Sequence, residues 1–288
     1  MSATQTPAEI PNASEQAGEV YDPGNSILHH ILDANEIEIP FTHSTIPLPR
    51  LEVGGVDVSI TKHVVMMWLA GLLLFVVFRL AARRTREPVP RGLRNVLEVL
   101  IRFIRDEVGA KAIGAGSERY AGYLLTTFFF ILFCNVLGLI PAMATATGNI
   151  SVTAALALVA FVVIQVGGIR EYGLIKHFKN LVPHGLPMWL VPIMFLLELL
   201  SSLIKPFALC IRLFANMMAG HVVILSFISL IFILASTFAP GVGWAAAPVS
   251  VGFALFVYAL ELFVAFLQAY IFTMLTAQFI GMSVHPAH

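Results

Sequence analysis

Two apolar stretches dominate the C-terminal half of the chain, about residues 189–238 and 244–283, with Pro240-Gly241 between them as a turn signal. As helices, the part after Pro206 (207–238) would be about 48 Å long and 244–283 about 60 Å, at about 1.5 Å of rise per residue. The hydrocarbon core of a bilayer is only about 30 Å thick. Helices of that length must tilt steeply, break, or run partly within the membrane plane. Composition supports a membrane solvent: 58% of the 288 residues are apolar and 12% charged, against about 25% charged in an ordinary globular domain. Mean hydropathy is +0.86. These values exclude a disordered chain and argue against a water-soluble enzyme. The expected fold class is all-α: a polytopic membrane protein of about five membrane segments plus a surface amphipathic helix.

The rest of the chain divides accordingly. Residues 1–62 are polar and acidic, with nine Asp/Glu against Arg50 and Lys62. The first twenty residues contain neither an apolar core nor an arginine, so neither a signal peptide nor a transit peptide is expected. Ile37-Glu38-Ile39 and Val53 to Ile60 alternate weakly and read as short extended pieces. A single membrane domain then covers 63–283, with spans at about 63–82, 119–141, 150–169, 189–238 and 244–283, followed by a tail at 284–288. Residues 93–108 space their apolar side chains helically around Arg102, Arg105 and Asp106, the pattern of an amphipathic helix at the membrane surface.

Nine Lys/Arg fall between 82 and 119 and three more between 170 and 180, while the 142–149 and 239–246 links have none. The positive-inside rule makes the two basic loops cytoplasmic. Five spans then leave the N-terminus outside and the C-terminus inside, most simply in a bacterial inner membrane. Net charge is zero, so nucleic acid is not an expected partner. Cys134 and Cys210 sit in apolar runs and form no metal or disulfide pattern. No cofactor motif, P-loop or hydrolase signature is present, and no cofactor is expected.

The ionisable residues inside the spans carry the functional information, since each charge near the bilayer centre costs at least about 2.5–3.5 kcal/mol. Arg79 ends the first span and can snorkel. Glu198, Lys205 and Arg212 are seven apart and share one helical stripe, which Asn216 joins at i+4. His221 lies on the opposite face, about 13 Å further along the axis. On the last segment, Glu261 and Gln268 share a face. Folding the two segments antiparallel about Pro240-Gly241 pairs residues whose numbers sum to about 481. That brings Arg212 near Gln268 and His221 near Glu261, a fixed charge beside an amide and a proton-exchanging pair. The plainer readings are an Arg212–Glu198 ion pair or a lipid anchor, a static His221–Glu261 hydrogen bond, and a structural Lys205. His29, His30, His43, His177 and His184 lie in polar segments and read as solvated.

The run from Lys205 to His221, KPFALCIRLFANMMAGH, resembles the signature of subunit a of F-type ATP synthases, and Leu267 to Thr276, LQAYIFTMLT, resembles that family's C-terminal signature. Ser26 to Asp33, SILHHILD, is similar to its N-terminal segment. The resemblance covers about 25–283. It implies a non-catalytic stator subunit facing a rotating c-ring, with two offset half-channels that load and unload the ring carboxylates. It places Arg212 as the essential arginine between the half-channels, Asn216 and Gln268 as its polar partners, and Glu198 as the acidic residue near one channel. His221 and Glu261 match a coupled pair that some members carry in reverse order. Ala215 stands where many members have glycine. The implied partners are the c-ring, b subunits, the soluble ATPase head, membrane lipid and protons. The competing classes are a cation-coupled secondary transporter, which should show paired broken helices in two halves, and a non-transporting assembly scaffold, which leaves Arg212 and the His221/Glu261 pair without a purpose.

Overall fold

The computed structural model describes residues 59–83, 92–140, 145–179, 187 and 189–285, together with the backbone of four short strands. The strands form two antiparallel ribbons: β1 (Glu36–Glu38) pairs with β2 (Thr45–Pro47), and β3 (Glu52–Val53) with β4 (Val56–Asp57). Of the extended pieces expected at 37–39 and 53–60, the first appears as β1, and the second is divided between the paired strands β3 and β4 and does not run on as one strand to Ile60. SILHHILD, His29, His30, His43 and His184 lie outside the residues described in side-chain detail.

Five helices among the described residues are long and apolar enough to cross a membrane. They are α1 (Lys62–Arg83), α4 (Glu118–Gly138), α5 (Ile150–Tyr172), α7 (Val191–Thr237) and α8 (Pro240–Val284). Between α1 and α4 runs a helical segment made of α2 (Leu93–Arg102), a wider π-type stretch (Phe103–Gly109) and α3 (Ala110–Ile113). The short α6 (Leu174–Lys179) follows α5. Each element follows from its sequence. Asn149 caps α5 by accepting from the Ser151 N–H at 2.8 Å. Gly173, at φ 78°, ends the same helix in a conformation that other residues adopt at a cost.

α7 and α8 have 47 and 45 residues, about 70 and 68 Å of helix. α7 does not break at Pro206, and α8 runs through Pro248 in the same way. Pro206 removes the hydrogen bond to the Ser202 carbonyl, yet the helix continues, as buried or lipid-embedded helices often do. The expected break around Pro240-Gly241 shrinks to Phe238 and Ala239. Pro240 opens α8 rather than the turn, because its missing N–H is one of the unpaired donors of any helix start. Of the three expected ways to fit an over-long segment, a mid-segment break is thereby removed.

The two long helices form an antiparallel hairpin. Asn216 meets Gln268, His221 meets Glu261, Phe227 stacks on Phe253, and Gly243 faces Ala235. These pairs sum to 478–484, around the expected 481. Small residues set the spacing: a β-carbon at Gly243 would lie 2.6 Å from the Ala235 Cβ. The C-terminal half of α8 is the spine of the molecule. Its buried stripe (Ala269, Phe272, Ala277, Ile280) packs with Phe128, Leu124 and Ile131 of α4 and with Leu209 and Leu213 of α7. The N-terminal half of α8 is largely exposed along Leu255, Phe256, Leu262 and Phe263, a surface suited to lipid rather than water.

The amphipathic segment is longer than the expected 93–108 and packs more deeply. Leu97, Ile104, Val108 and Ile113 are buried against α4 and α8, and the backbone at Ala112 lies so close to Gly281 that no side chain fits there. Its charges pair outward: Arg102 with Glu98 at 2.6 Å, Arg105 with Asp106 at 2.8 Å, and Lys111 with Glu107. Such exposed pairs contribute about 0–1 kcal/mol each.

Candidate functional site

α7 carries Glu198, Arg212, Asn216 and His221 in that order. Arg212 is about 21 Å along the axis from Glu198, and His221 about 13.5 Å beyond Arg212. Arg212 is exposed on the helix surface. Among the described residues it makes no hydrogen bond or ion pair, and neither does Glu198. The simple Arg212–Glu198 ion pair is therefore not formed. The expected neighbour Gln268 is buried and engaged elsewhere: Asn216 Nδ2 donates to Gln268 Oε1 at 2.8 Å. The pairing of Gln268 thus goes to the amide one turn past Arg212, and the guanidinium has no partner among the described residues. Lys205 has its ammonium 5.4 Å from the centroid of the Phe279 ring, a cation–π contact that suits a structural role.

His221 and Glu261 meet as the hairpin geometry requires, with Nδ1 2.8 Å from Oε1. The Glu261 side chain is 3% exposed and that of His221 25%. Nδ1 also hydrogen-bonds the Met217 carbonyl at 3.1 Å, one turn back on the same helix. The carboxylate therefore sits close to the ring nitrogen without an aligned hydrogen bond, and neither Glu261 oxygen has a hydrogen-bond partner. A buried carboxylate without hydrogen-bond partners is costly. On the other side of the ring, Nε2 lies 2.9 Å from the Thr145 hydroxyl and 2.9 Å from the Gly138 carbonyl.

Several contributors were not singled out from sequence. Gly220, beside His221, leaves room for the Glu261 carboxylate; a glycine inside a long apolar helix was the available signal. Gly138 leaves room for Thr145, whose side chain would collide with any β-carbon there. Asn135 and Thr147 are fully buried: Thr147 Oγ1 donates to Asn135 Oδ1 at 2.7 Å, and Asn135 Nδ2 donates to the Ala265 carbonyl at 3.2 Å. The Tyr258 hydroxyl donates to the Leu139 carbonyl at 2.7 Å. All of these lie where the C-terminal end of α4 and the short 3₁₀ turn Ala146–Gly148 meet the hairpin. Sequence spacing gives no hint of the contacts from this corner to the two long helices, which span 76–130 residues.

The far end of the bundle holds a second polar cluster. His177 of α6 is buried rather than solvated, contrary to the expectation for that loop. Its Nε2 lies 2.9 Å from Gln165 Oε1, and since an amide oxygen only accepts, the ring donates. The imidazole fills the space over Gly168 alongside Ser283. Burial pushes its pKa below the ordinary histidine value. Cys134 and Cys210 are buried and unpaired, with Cys210 Sγ 3.5 Å from Thr153 Oγ1.

The family model for the ATP synthase A chain matches residues 64–281, most of the chain and the whole hairpin. The chain belongs to the ATP synthase A chain family. Among curated relatives, ATP synthase subunit a of Chloroherpeton thalassium is 48% identical over 268 residues, covering 91% of this chain and 77% of the relative. ATP synthase subunit a of Myxococcus xanthus is 52% identical over 244 residues, 84% of this chain and 78% of the relative. ATP synthase subunit a 2 of Prosthecochloris aestuarii is 46% identical over 295 residues, 99% of this chain and 88% of the relative. As a member of the ATP synthase A chain family with five membrane-length apolar helices, the chain is an integral membrane protein.

Proposed function

We propose that this chain is the proton-conducting stator subunit of a rotary ATP synthase in a bacterial plasma membrane, without catalytic activity of its own. Its N-terminus lies outside and its C-terminus in the cytoplasm, as the basic loops require. The exposed α7 face bearing Arg212 meets the c-ring, and b subunits and the soluble head complete the complex. His221 and Glu261 belong to the outer half-channel, and Glu198 belongs to the inner one.

A guanidinium does not deprotonate at working pH. Arg212 therefore attracts a passing rotor carboxylate into its charged form and at the same time forbids a proton from slipping past. A proton delivered by the His221/Glu261 pair to a ring carboxylate reaches the inner side only by riding the rotor around. The Asn216–Gln268 hydrogen bond keeps the nearby amide from binding the arginine, so the guanidinium is available to the rotor without a competing partner.

One observation carries this reading: a contacting His221–Glu261 pair lies nine residues along the same hairpin from an arginine with no partner among the described residues. The test compares membranes carrying the assembled complex with wild-type chain and with Arg212→Ala, measuring ATP-driven pumping and passive leak after the head is stripped. Pumping should disappear while assembly persists, and leak should rise. Unchanged pumping would refute the stator role of Arg212.

A further inference from the structure

Among the described residues, His221 has four polar neighbours. Three are oxygens that carry no proton to give when the site is charged: the Met217 and Gly138 carbonyls and the Glu261 carboxylate. The fourth is the Thr145 hydroxyl, which both donates and accepts. Among the described residues, Nε2 faces only Gly138 O and Thr145 Oγ1, each at 2.9 Å. A protonated Nε2 is well met by the carbonyl. A bare Nε2 facing that carbonyl alone would set lone pair against lone pair, and only the Thr145 hydroxyl can turn its proton toward it. Thr145 itself is 5% exposed, and it is held against the backbone of Gly138, where no β-carbon fits.

We infer that Thr145 is the proton relay to His221 Nε2 on the outer side, its hydroxyl taking up and passing on the transported proton itself. The inference rests on the stator reading given above. In the loading step, a proton from outer water adds to Thr145 Oγ1 as the hydroxyl's own proton passes to Nε2. One O–H bond of a hydronium and the original Oγ1–H bond break, a new Oγ1–H bond and an Nε2–H bond form, and the positive charge moves from the hydronium, left as water, to the imidazolium. The Gly138 carbonyl then accepts from the new Nε2–H. Unloading is the same step reversed. The other hydroxyls described near the site are committed elsewhere: the buried Thr147 to Asn135, the half-buried Tyr258 to Leu139 and the buried Thr153 to its own helix start.

The test uses the full complex in membrane vesicles with Thr145→Val, Thr145→Ser and Arg212→Ala, each checked for copurification with the c-ring and the soluble head. Valine keeps the shape against Gly138 and removes the hydroxyl; serine keeps the hydroxyl and removes the methyl. Expected is a loss of ATP-driven pumping of about tenfold or more in Thr145→Val, with Thr145→Ser close to wild type. Should the valine chain fail to assemble, Thr145→Ala is measured in its place with the same expectation. Wild-type pumping in the valine or alanine chain would overturn the relay, as would equal losses in valine and serine, which would mark a packing role. If Arg212→Ala pumps normally, the stator reading fails whatever Thr145 does. If Arg212→Ala is silent and Thr145→Val is not, only the relay fails.

Discussion

Gly220 gives the Glu261 carboxylate the space it occupies: a β-carbon at Gly220 would lie 2.6 Å from Oε1 and 2.7 Å from the carboxyl carbon. The carboxylate is also the partner of His221, the next residue in the chain. One helix position therefore makes room for the acid, and its neighbour meets it. Gly220→Ala should push the carboxylate off the imidazole or force the hairpin apart. Overpacking of this kind costs about 1–3 kcal/mol. Pumping by the assembled complex should fall severalfold, and Glu261→Asp, one methylene shorter, should recover part of it in the double variant. A Gly220→Ala chain that pumps like wild type would show that the contact is not needed.

Asn135 ties α4 to α8 and to the 3₁₀ turn at once, through Thr147 and the Ala265 carbonyl. Asn135→Leu would strand the fully buried Thr147 hydroxyl, which costs about 1–3 kcal/mol. Removing both polar groups together removes most of that penalty, because no orphan remains. Heat inactivation of the membrane-bound complex should therefore rank wild type above Asn135→Leu/Thr147→Val, and that double variant above Asn135→Leu alone. A double variant less stable than the single would mean that the pair acts through something other than mutual satisfaction.

The hairpin and its central contact were legible in the sequence because a helix fixes angular position. Seven-residue spacing placed Glu261 and Gln268 on one face, and the single turn signal at Pro240-Gly241 fixed the register to within three residues of the observed pairs. The partners of His221 from α4 and the 3₁₀ turn were not legible. Nothing periodic links Gly138 and Thr145 to a histidine 76–83 residues away. Arg212 and Gln268 illustrate the limit of such pairing. Geometry put them near each other, but which amide takes the Gln268 oxygen depends on side-chain reach, and Asn216 takes it. His177 was misread for a similar reason: a basic, proline-rich loop looks solvated until α6 folds back on the gap that Gly168 leaves.

His177 makes the docking of α6 sensitive to pH. Burial lowers its pKa from 6.5 in the folded state. Below pH 6.5 the undocked segment takes up a proton more readily than the docked one, so docking stability is full above that value and declines as pH falls through the folded pKa. Amide hydrogen exchange in 174–179, corrected for intrinsic rate, should be faster at about pH 5.5 than at about pH 7.5. His177→Gln, which keeps a donor but does not titrate, should remove the difference. Equal protection at both pH values in the wild-type chain would count against the account.

The hairpin sets two side chains together without regard to which helix supplies which, so the pair should tolerate exchange. His221→Glu alone puts two carboxylates in contact across a buried interface, and one must then stay protonated. Glu261→His alone leaves two imidazoles with no acid between them. Each single change should lower pumping by about tenfold or more. The exchanged pair, His221→Glu with Glu261→His, restores one acid and one base at the same place. Gly220 leaves room for the ring at 261, and the Thr145 hydroxyl can donate to the new carboxylate at 221, while the Gly138 carbonyl disfavours its charged form. Recovery should therefore be substantial but incomplete, a positive coupling in a double-mutant cycle on pumping rate. A double variant no better than the worse single would mean that each residue acts through its own surroundings rather than through the other.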